Sequence, residues 1–352
     1  MLKKLLFGFC MFFLIDINVF ASSQANVVMD VDSGRILYQS NATKSHLIAS
    51  TTKIMTALIV LENSDLDKNV VVGDEVLKMY GTNIYIEVGE RLSISDLLYG
   101  LMLRSGNDAA ITLAVNVSGS EKDFVNLMNK KALELGMMDT SFSNPHGLDE
   151  DTKNYSTASD MAKLARYAYK NSDFRKIIKT KKYNCKSSLK SYVWYNRVSI
   201  LNNYKYSLGG KNGYTPSAGK CLVSFSKKDN MTLLAVTLND GDIYNTQKSL
   251  FNDYFNKYTS YKILDKDSFF YDDSLIDRKL YIKKSFSYPL TNDEVDRVYT
   301  TIKIGNNSRV GVVGKVIIKL DNDVIGSVNL YEKENKKKDI SIFQRVLDFF
   351  KN

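Results

Sequence analysis

The feature that most limits the fold is an apolar helix with a lysine at its start. From Thr51 to Leu61 the residues Ile54, Met55, Leu58, Ile59 and Leu61 recur at helical spacing. So dense an apolar face must be covered by other elements, which makes this a core helix of a layered domain. Lys53 is carried inward with it, and burial disfavours the charged form of an amine. Ser50 stands three residues earlier, so hydroxyl and amine fall on one side, a turn apart. A serine beside a neutralised lysine is a nucleophile with its own base, and the helix N-terminus favours developing negative charge.

Spacing alone decides little, because Ser-x-x-Lys occurs four times, starting at Ser50, Ser187, Ser217 and Ser224. Only the first opens an apolar helix; the others lie in polar or strand-like stretches. Taken by itself, Ser50 also suits an ordinary N-cap. Ser105-Gly106-Asn107-Asp108, between two helical patterns, is by itself a turn and an N-cap. Gly209-Gly210-Lys211-Asn212-Gly213-Tyr214-Thr215 reads as a Gly-rich loop leading into strands, with glycines that let a substrate backbone approach closely.

The 352 residues suit two domains. Asn26 to Gln39 forms a hairpin around Asp32-Ser33-Gly34. Helices follow over Ile94–Leu103, capped by Ser93 or Ser95, over Asp108–Val117, and over Phe124–Leu135, stopped by Gly136. Ser159 caps a further helix over Met161–Tyr169. Strands Cys221–Phe225 and Thr232–Leu238 flank a turn at Lys227–Asn230, and Gln247–Tyr258 is helical. Helices between two groups of strands give an α/β (α+β) layered domain over residues 22–260. After Lys262 the texture changes to short alternating segments rich in Val, Ile and Tyr, a small all-β domain over 261–332.

Both ends carry signals of location. Lys3-Lys4, an apolar run from Leu5 to Phe20 and Val19-Phe20-Ala21 predict an export signal over 1–21, too short and too polar at Asp16 for a spanning helix. The chain is therefore expected to be exported and extracytoplasmic, keeping Cys185 and Cys221, whose pairing stays open. Residues 333–352 are expected to be a basic linker and a C-terminal amphipathic helix. Phe343, Val346, Leu347 and Phe350 share one face, suited to the outer surface of the cytoplasmic membrane. The charge of +9, without a basic helix or aromatic-basic motif, gives no support for nucleic acid. Two His and three Cys leave little from which to build a zinc site.

In this order the three motifs resemble those of the penicillin-recognising serine enzymes. His46-Leu47-Ile48-Ala49, Leu101-Met102-Leu103-Arg104, Asn144-Pro145-His146-Gly147-Leu148, Asn196-Arg197 and Lys211 to Val223 narrow the likeness. It is to the D-alanyl-D-alanine carboxypeptidases, the low-molecular-mass penicillin-binding proteins of serine peptidase family S11. The resemblance implies a penicillin-binding-protein/serine β-lactamase-like transpeptidase domain that trims the terminal D-alanine from peptidoglycan stem peptides without a cofactor, and is acylated by β-lactams. Ser50 would be the nucleophile, Lys53 the general base, Ser105 a proton relay and Asn107 a partner of substrate amide and Lys53. Lys211, Asn212, Gly213, Thr215 and Arg197 would face the substrate, with the backbone N–H groups of Ser50 and Tyr214 as oxyanion hole; His146 is expected to be structural.

Two departures stand out. Asn212 replaces the usual Thr, and Asp242–Ser249 lacks the Arg that many relatives place near the terminal carboxylate. Other readings of the same motifs are a penicillin-binding wall module with little turnover, a D,D-endopeptidase, and a β-lactamase-like hydrolase. A class A β-lactamase would need a carboxylate for the deacylating water where this chain has Asn144–Leu148. The tail makes its own prediction: the exported chain floats with anionic liposomes, less so in high salt, whereas a chain ending at Tyr331 stays behind. Equal flotation of the two would remove the anchor.

Overall fold

The computed structural model describes residues 24–273, 278–309 and 311–332; the expected export signal and the expected amphipathic tail lie outside the described residues. The chain opens with strands β1 (Ala25–Asp30) and β2 (Ile36–Ser40), the expected hairpin. A helical block follows: α1 (Lys53–Asn63), α2 (Ile94–Arg104), α3 (Asn107–Ser118), α4 (Glu121–Glu134), α5 (Ala158–Ala168) and α6 (Ser172–Lys179). Next come the hairpin β3 (Lys182–Lys186) and β4 (Ser191–Tyr195), the strands β5 (Ser207–Thr215), β6 (Gly219–Lys228) and β7 (Met231–Leu238), and helix α7 (Ile243–Lys257).

The central sheet is antiparallel, in the order β2-β1-β7-β6-β5. Side chains alternate between its faces. Val27, Met29, Val223, Phe225, Leu234 and Val236 pack into the large core with α1 to α6. Val28, Leu222, Leu233 and Ala235 face the other way, against Ile243, Phe251 and Phe255 of α7. Every residue of β1 and β7 is buried, as expected of strands covered on both faces. Helix α1 lies inside the helical layer, with Lys53 to Val60 all buried.

Local chemistry sets the helix ends. Ser93 caps α2 and Asp96 reaches back, a capping box. Gly136, at φ +68°, follows the end of α4. Three sequence expectations change. Thr157, not Ser159, caps α5, because its hydroxyl accepts the Asp160 N–H. The Gly209–Thr215 stretch is an edge strand rather than a loop, paired with β6 along its length. Helix α6 and the β3–β4 hairpin were not anticipated; their polar, lysine-rich sequences hide an inward side at Phe174, Ile177, Cys185 and Trp194.

Beyond α7, β8 (Thr259–Leu264) runs on to β9 (Tyr271–Asp273), β10 (Arg278–Ile282), β11 (Phe286–Leu290), β12 (Val298–Arg309), β13 (Val312–Leu320) and β14 (Asp323–Glu332). Five of these form a second antiparallel sheet, β9-β10-β14-β13-β12, and β8 pairs with β11. Leu264, Leu280, Ile318 and Leu330 centre its separate core.

Arg35, just before β2, joins the two parts. Its guanidinium donates to both Glu294 oxygens at 2.9 and 2.5 Å and to the Pro289 carbonyl at 2.6 Å. It also lies 5.2 Å from the ring centres of Tyr258 and Tyr288. Arg35→Ala is expected to lower the unfolding free energy by about 2 kcal/mol, the scale of a charged hydrogen-bond network. Arg35→Lys should restore only part of it, since an ammonium cannot reproduce the planar fork; urea denaturation of the three proteins checks both.

Candidate active site

The site is built around the turn that precedes α1. Ala49–Thr52 forms one 3₁₀ turn, entered at Ala49 with φ +44°. Its threonines fasten it. Thr51 donates to the Ile48 carbonyl at 2.5 Å, and Thr52 accepts from Asn154 at 3.0 Å. Thr56, one turn on, holds the Pro145 carbonyl at 2.6 Å. Ser50 is thus not a helix cap: its hydroxyl lies 3.0 Å from Lys53 Nζ and 3.5 Å from the His146 carbonyl.

Lys53 is completely buried. Its amine donates to Asn107 Oδ1 at 2.7 Å and to the His146 carbonyl at 2.5 Å, and no carboxylate of the described residues lies at hydrogen-bond distance from it. Burial pushes its pKa well below the usual lysine value; the Lys211 charge pushes the same way and Asp108 opposes both. The three other Ser-x-x-Lys pairs lack this arrangement. Lys190 Nζ reaches Glu87 and the Tyr85 carbonyl, and Lys220 Nζ reaches the Gly241 carbonyl. Ser224 bonds to Gln247.

Asn107 opens α3, and its Nδ2 donates to the Tyr80 carbonyl at 2.7 Å. Ser105 ends α2 in the left-handed region at φ +65°, which turns the chain sharply between the two helices. Asp108 extends the motif in a way the sequence did not signal. Its carboxylate accepts the backbone N–H groups of Ile84, Tyr85, Ile86 and Ala109, fixing the 84–86 segment against the start of α3.

The third wall is β5. Ser50, Thr82, Ser105, Arg197, Asn212, Gly213 and Tyr214 line a cleft of about 320 Å³. A Cβ on Gly213 would come within 2.6 Å of the Ser50 nitrogen, which is why this position takes no side chain. Lys211 is buried and donates to the Asn212 carbonyl at 2.6 Å. Burial, then the Arg197 charge, bring its pKa down to about 7. The Thr215 hydroxyl donates to Asp149 at 2.6 Å and accepts the Ala218 N–H at 3.0 Å. It is not among the residues lining the cleft.

His146 contributes its carbonyl. The ring Nδ1 accepts the Leu148 N–H at 3.1 Å, and burial, then Lys53, lower its pKa to about 3. No group of three or more His, Cys, Asp or Glu able to hold a metal occurs among the described residues.

A buried lysine hydrogen-bonded to a cleft serine, flanked by an Asn and faced by an edge strand, defines a serine acyl-transfer site. The D-alanyl-D-alanine carboxypeptidase model of peptidase family S11 matches residues 18–242. The D-alanyl-D-alanine carboxypeptidase DacF of Bacillus subtilis is 31% identical over 336 residues, 90% of this chain and 86% of that one. A D-alanyl-D-alanine carboxypeptidase of Streptomyces is 36% identical over 228 residues, 60% of this chain and 78% of its own length. Among solved structures, penicillin-binding protein 5 of Haemophilus influenzae superposes with TM-score 0.73 at 26% identity, covering 88% of this chain and 96% of that one. The chain belongs to peptidase family S11, the serine-type D-alanyl-D-alanine carboxypeptidases that act on peptidoglycan.

Gly147 offers a direct test of the packing behind Ser50. It sits at φ +89°, and a Cβ there would fall 2.0 Å from the Ala49 carbonyl oxygen. Gly147→Ala should cost about 1–3 kcal/mol in backbone strain, more with the collision, and displace the Ser50 turn. Slower labelling by a fluorescent penicillin, together with a lower melting temperature, checks this.

Proposed function

We propose that Ser50 carries the D,D-carboxypeptidase reaction, with Lys53 as its general base. The observation behind this reading is the contact between the wholly buried Lys53 amine and the Ser50 hydroxyl, repeated at none of the other three tetrads. With its pKa lowered, Lys53 takes the Ser50 proton as Oγ attacks the penultimate D-alanine carbonyl. The tetrahedral intermediate places its oxyanion between the Ser50 and Tyr214 N–H groups, each such donor worth roughly 3–4 kcal/mol. Collapse breaks the C–N bond, and Ser105, lining the cleft, passes a proton to the leaving D-alanine amine. Water then releases the shortened peptide from Ser50, aided by the same base. Asn107 orients Lys53 and the substrate amide, while Lys211 and Arg197 supply positive potential for the terminal carboxylate.

Residues 22–260 form the catalytic domain in this reading, and 261–332 a small β-rich domain with its own core. An export signal over 1–21 would place the enzyme outside the cytoplasm, and the amphipathic tail would hold it at the membrane surface. No helix among the described residues is long and apolar enough to cross a membrane.

Ser50→Ala should abolish covalent β-lactam labelling and release of D-alanine from a pentapeptide, read by mass spectrometry, while folding normally. Lys53→Ala should slow acylation by ~10²–10⁴-fold, far beyond any change at Lys190, Lys220 or Lys227. Labelling of folded Ser50→Ala would sink the assignment.

The pH profile follows from two lysines. Lys53 must be neutral to accept a proton, so the rate rises as pH climbs through its lowered pKa. Lys211 must be charged to attract a carboxylate, so kcat/KM falls again as pH passes its pKa of about 7. A bound carboxylate favours the charged amine, so the falling limb of kcat should lie at higher pH than that of kcat/KM. Separate pH titrations of the two constants check the order.

A further inference from the structure

We infer that the outer face of the β3–β4 hairpin is a docking surface for polymeric peptidoglycan, on which a row of lysines holds the carboxylates of stem peptides neighbouring the one in the cleft. The inference rests on peptidoglycan as the substrate and is independent of the roles given to Ser50 and Lys53.

The starting observation is a charge asymmetry along the chain. Residues 174–228 carry thirteen Lys or Arg and not one Asp or Glu, in a protein whose net charge is +9. The remainder is therefore mildly acidic, and the basic excess is concentrated in one stretch. The hairpin sorts its residues by side. Tyr183 with Trp194, and Cys185 with Tyr192, are register pairs that point inward. Lys182 with Tyr195, Asn184 with Val193, and Lys186 with Ser191 point outward, and all six are exposed.

The carboxylates that meet this hairpin lie on its inner side or at its tip. Tyr183 donates to Asp96 at 2.7 Å, Tyr192 donates to Glu90 at 2.9 Å, and Lys190, in the turn, pairs with Glu87. Lys179, Lys181, Lys182 and Lys186 are exposed and form no ion pair among the described residues. Lys182 rests 5.6 Å from the centre of the Tyr195 ring. Lys186 stands four residues further along β3, about 13 Å away. Arg197, which lines the cleft, follows Tyr195 by two residues, so this face runs on from the cleft rim.

A surface of one sign fits a polymer that carries the opposite charge at intervals. Each uncross-linked stem peptide ends in a carboxylate, and removal of one D-alanine exposes the carboxylate of the next residue. Trimmed and untrimmed stems are therefore held alike. One exposed lysine–carboxylate contact is weak and screened by salt, but several along one strand act together. The surface keeps the enzyme on the polymer between cuts and gives nothing to a short soluble peptide, which reaches only the cleft.

The test measures binding to insoluble peptidoglycan in the Ser50→Ala background, so that no bond is cut. The parent is compared with Lys181→Gln/Lys182→Gln/Lys186→Gln. A control, Lys205→Gln/Lys227→Gln/Lys228→Gln, removes the same charge from the part of the stretch around Tyr206. The hairpin triple should keep the parent's melting temperature and bind about 5- to 10-fold more weakly at low salt. Its difference from the parent should vanish in high salt, and also on peptidoglycan whose carboxylates have been converted to methylamides. With Ser50 intact, the same three substitutions should leave kcat/KM for a soluble pentapeptide unchanged. Parent-like binding by the hairpin triple, an equal loss in the control, a difference that survives amidation, or slower cutting of the pentapeptide overturns the inference. Failure of the unaltered enzyme to release D-alanine from the pentapeptide would instead bring down the reading of Ser50, and the binding comparison would stand.

Discussion

A lysine held in the core with no anionic partner among the described residues governs the arrangement of this protein. Burying an amine costs most when it is charged, so Lys53 is stable there chiefly as a neutral base. The surrounding structure supplies acceptors that bear no charge: the Asn107 side-chain oxygen and the His146 carbonyl. Each comes from a different segment, and each segment is tied down in turn. Asn107 is linked to Tyr80, the 144–148 loop is laced together by Asn144 and Asn154, and the Ser50 turn is fastened by Thr51 and Thr52. The nearest carboxylate influence, Asp108, is occupied by four backbone N–H groups and does not pair with the amine.

Much of this was legible in the sequence because it lies on periodic elements. The apolar spacing from Ile54 onward gave α1, and Ser93 or Ser95 marked the start of α2, where Ser93 is the cap. The motif resemblance brought Ser50, Lys53 and Asn107 together before any geometry was available, and they meet within 3.0 Å. Asn212 and Arg197 likewise line one cleft.

What stayed hidden depends on contacts across the chain. No pattern marks the His146 carbonyl as an acceptor for Lys53, since any residue offers one and only the fold aims it. The 207–215 strand carries three glycines and reads as a loop because glycine is poor in strands; here close packing against Ile178, Val223 and Ser50 requires it. Asp108 looks like a helix-start residue, yet its carboxylate holds Ile84 to Ile86, and the Thr215–Asp149 bond joins residues distant in sequence.

The Arg35 clamp grips the central sheet at the margin where β2 lies, whereas the cleft opens beside β5 at the opposite margin. Four strand spacings separate the two, about 19 Å at the usual interval between strands. The second sheet is therefore tied, through Arg35, to the margin of the central sheet away from the cleft. A disturbance at the Arg35 contact reaches the Ser50 side of the sheet only across the buried strands β1, β7 and β6.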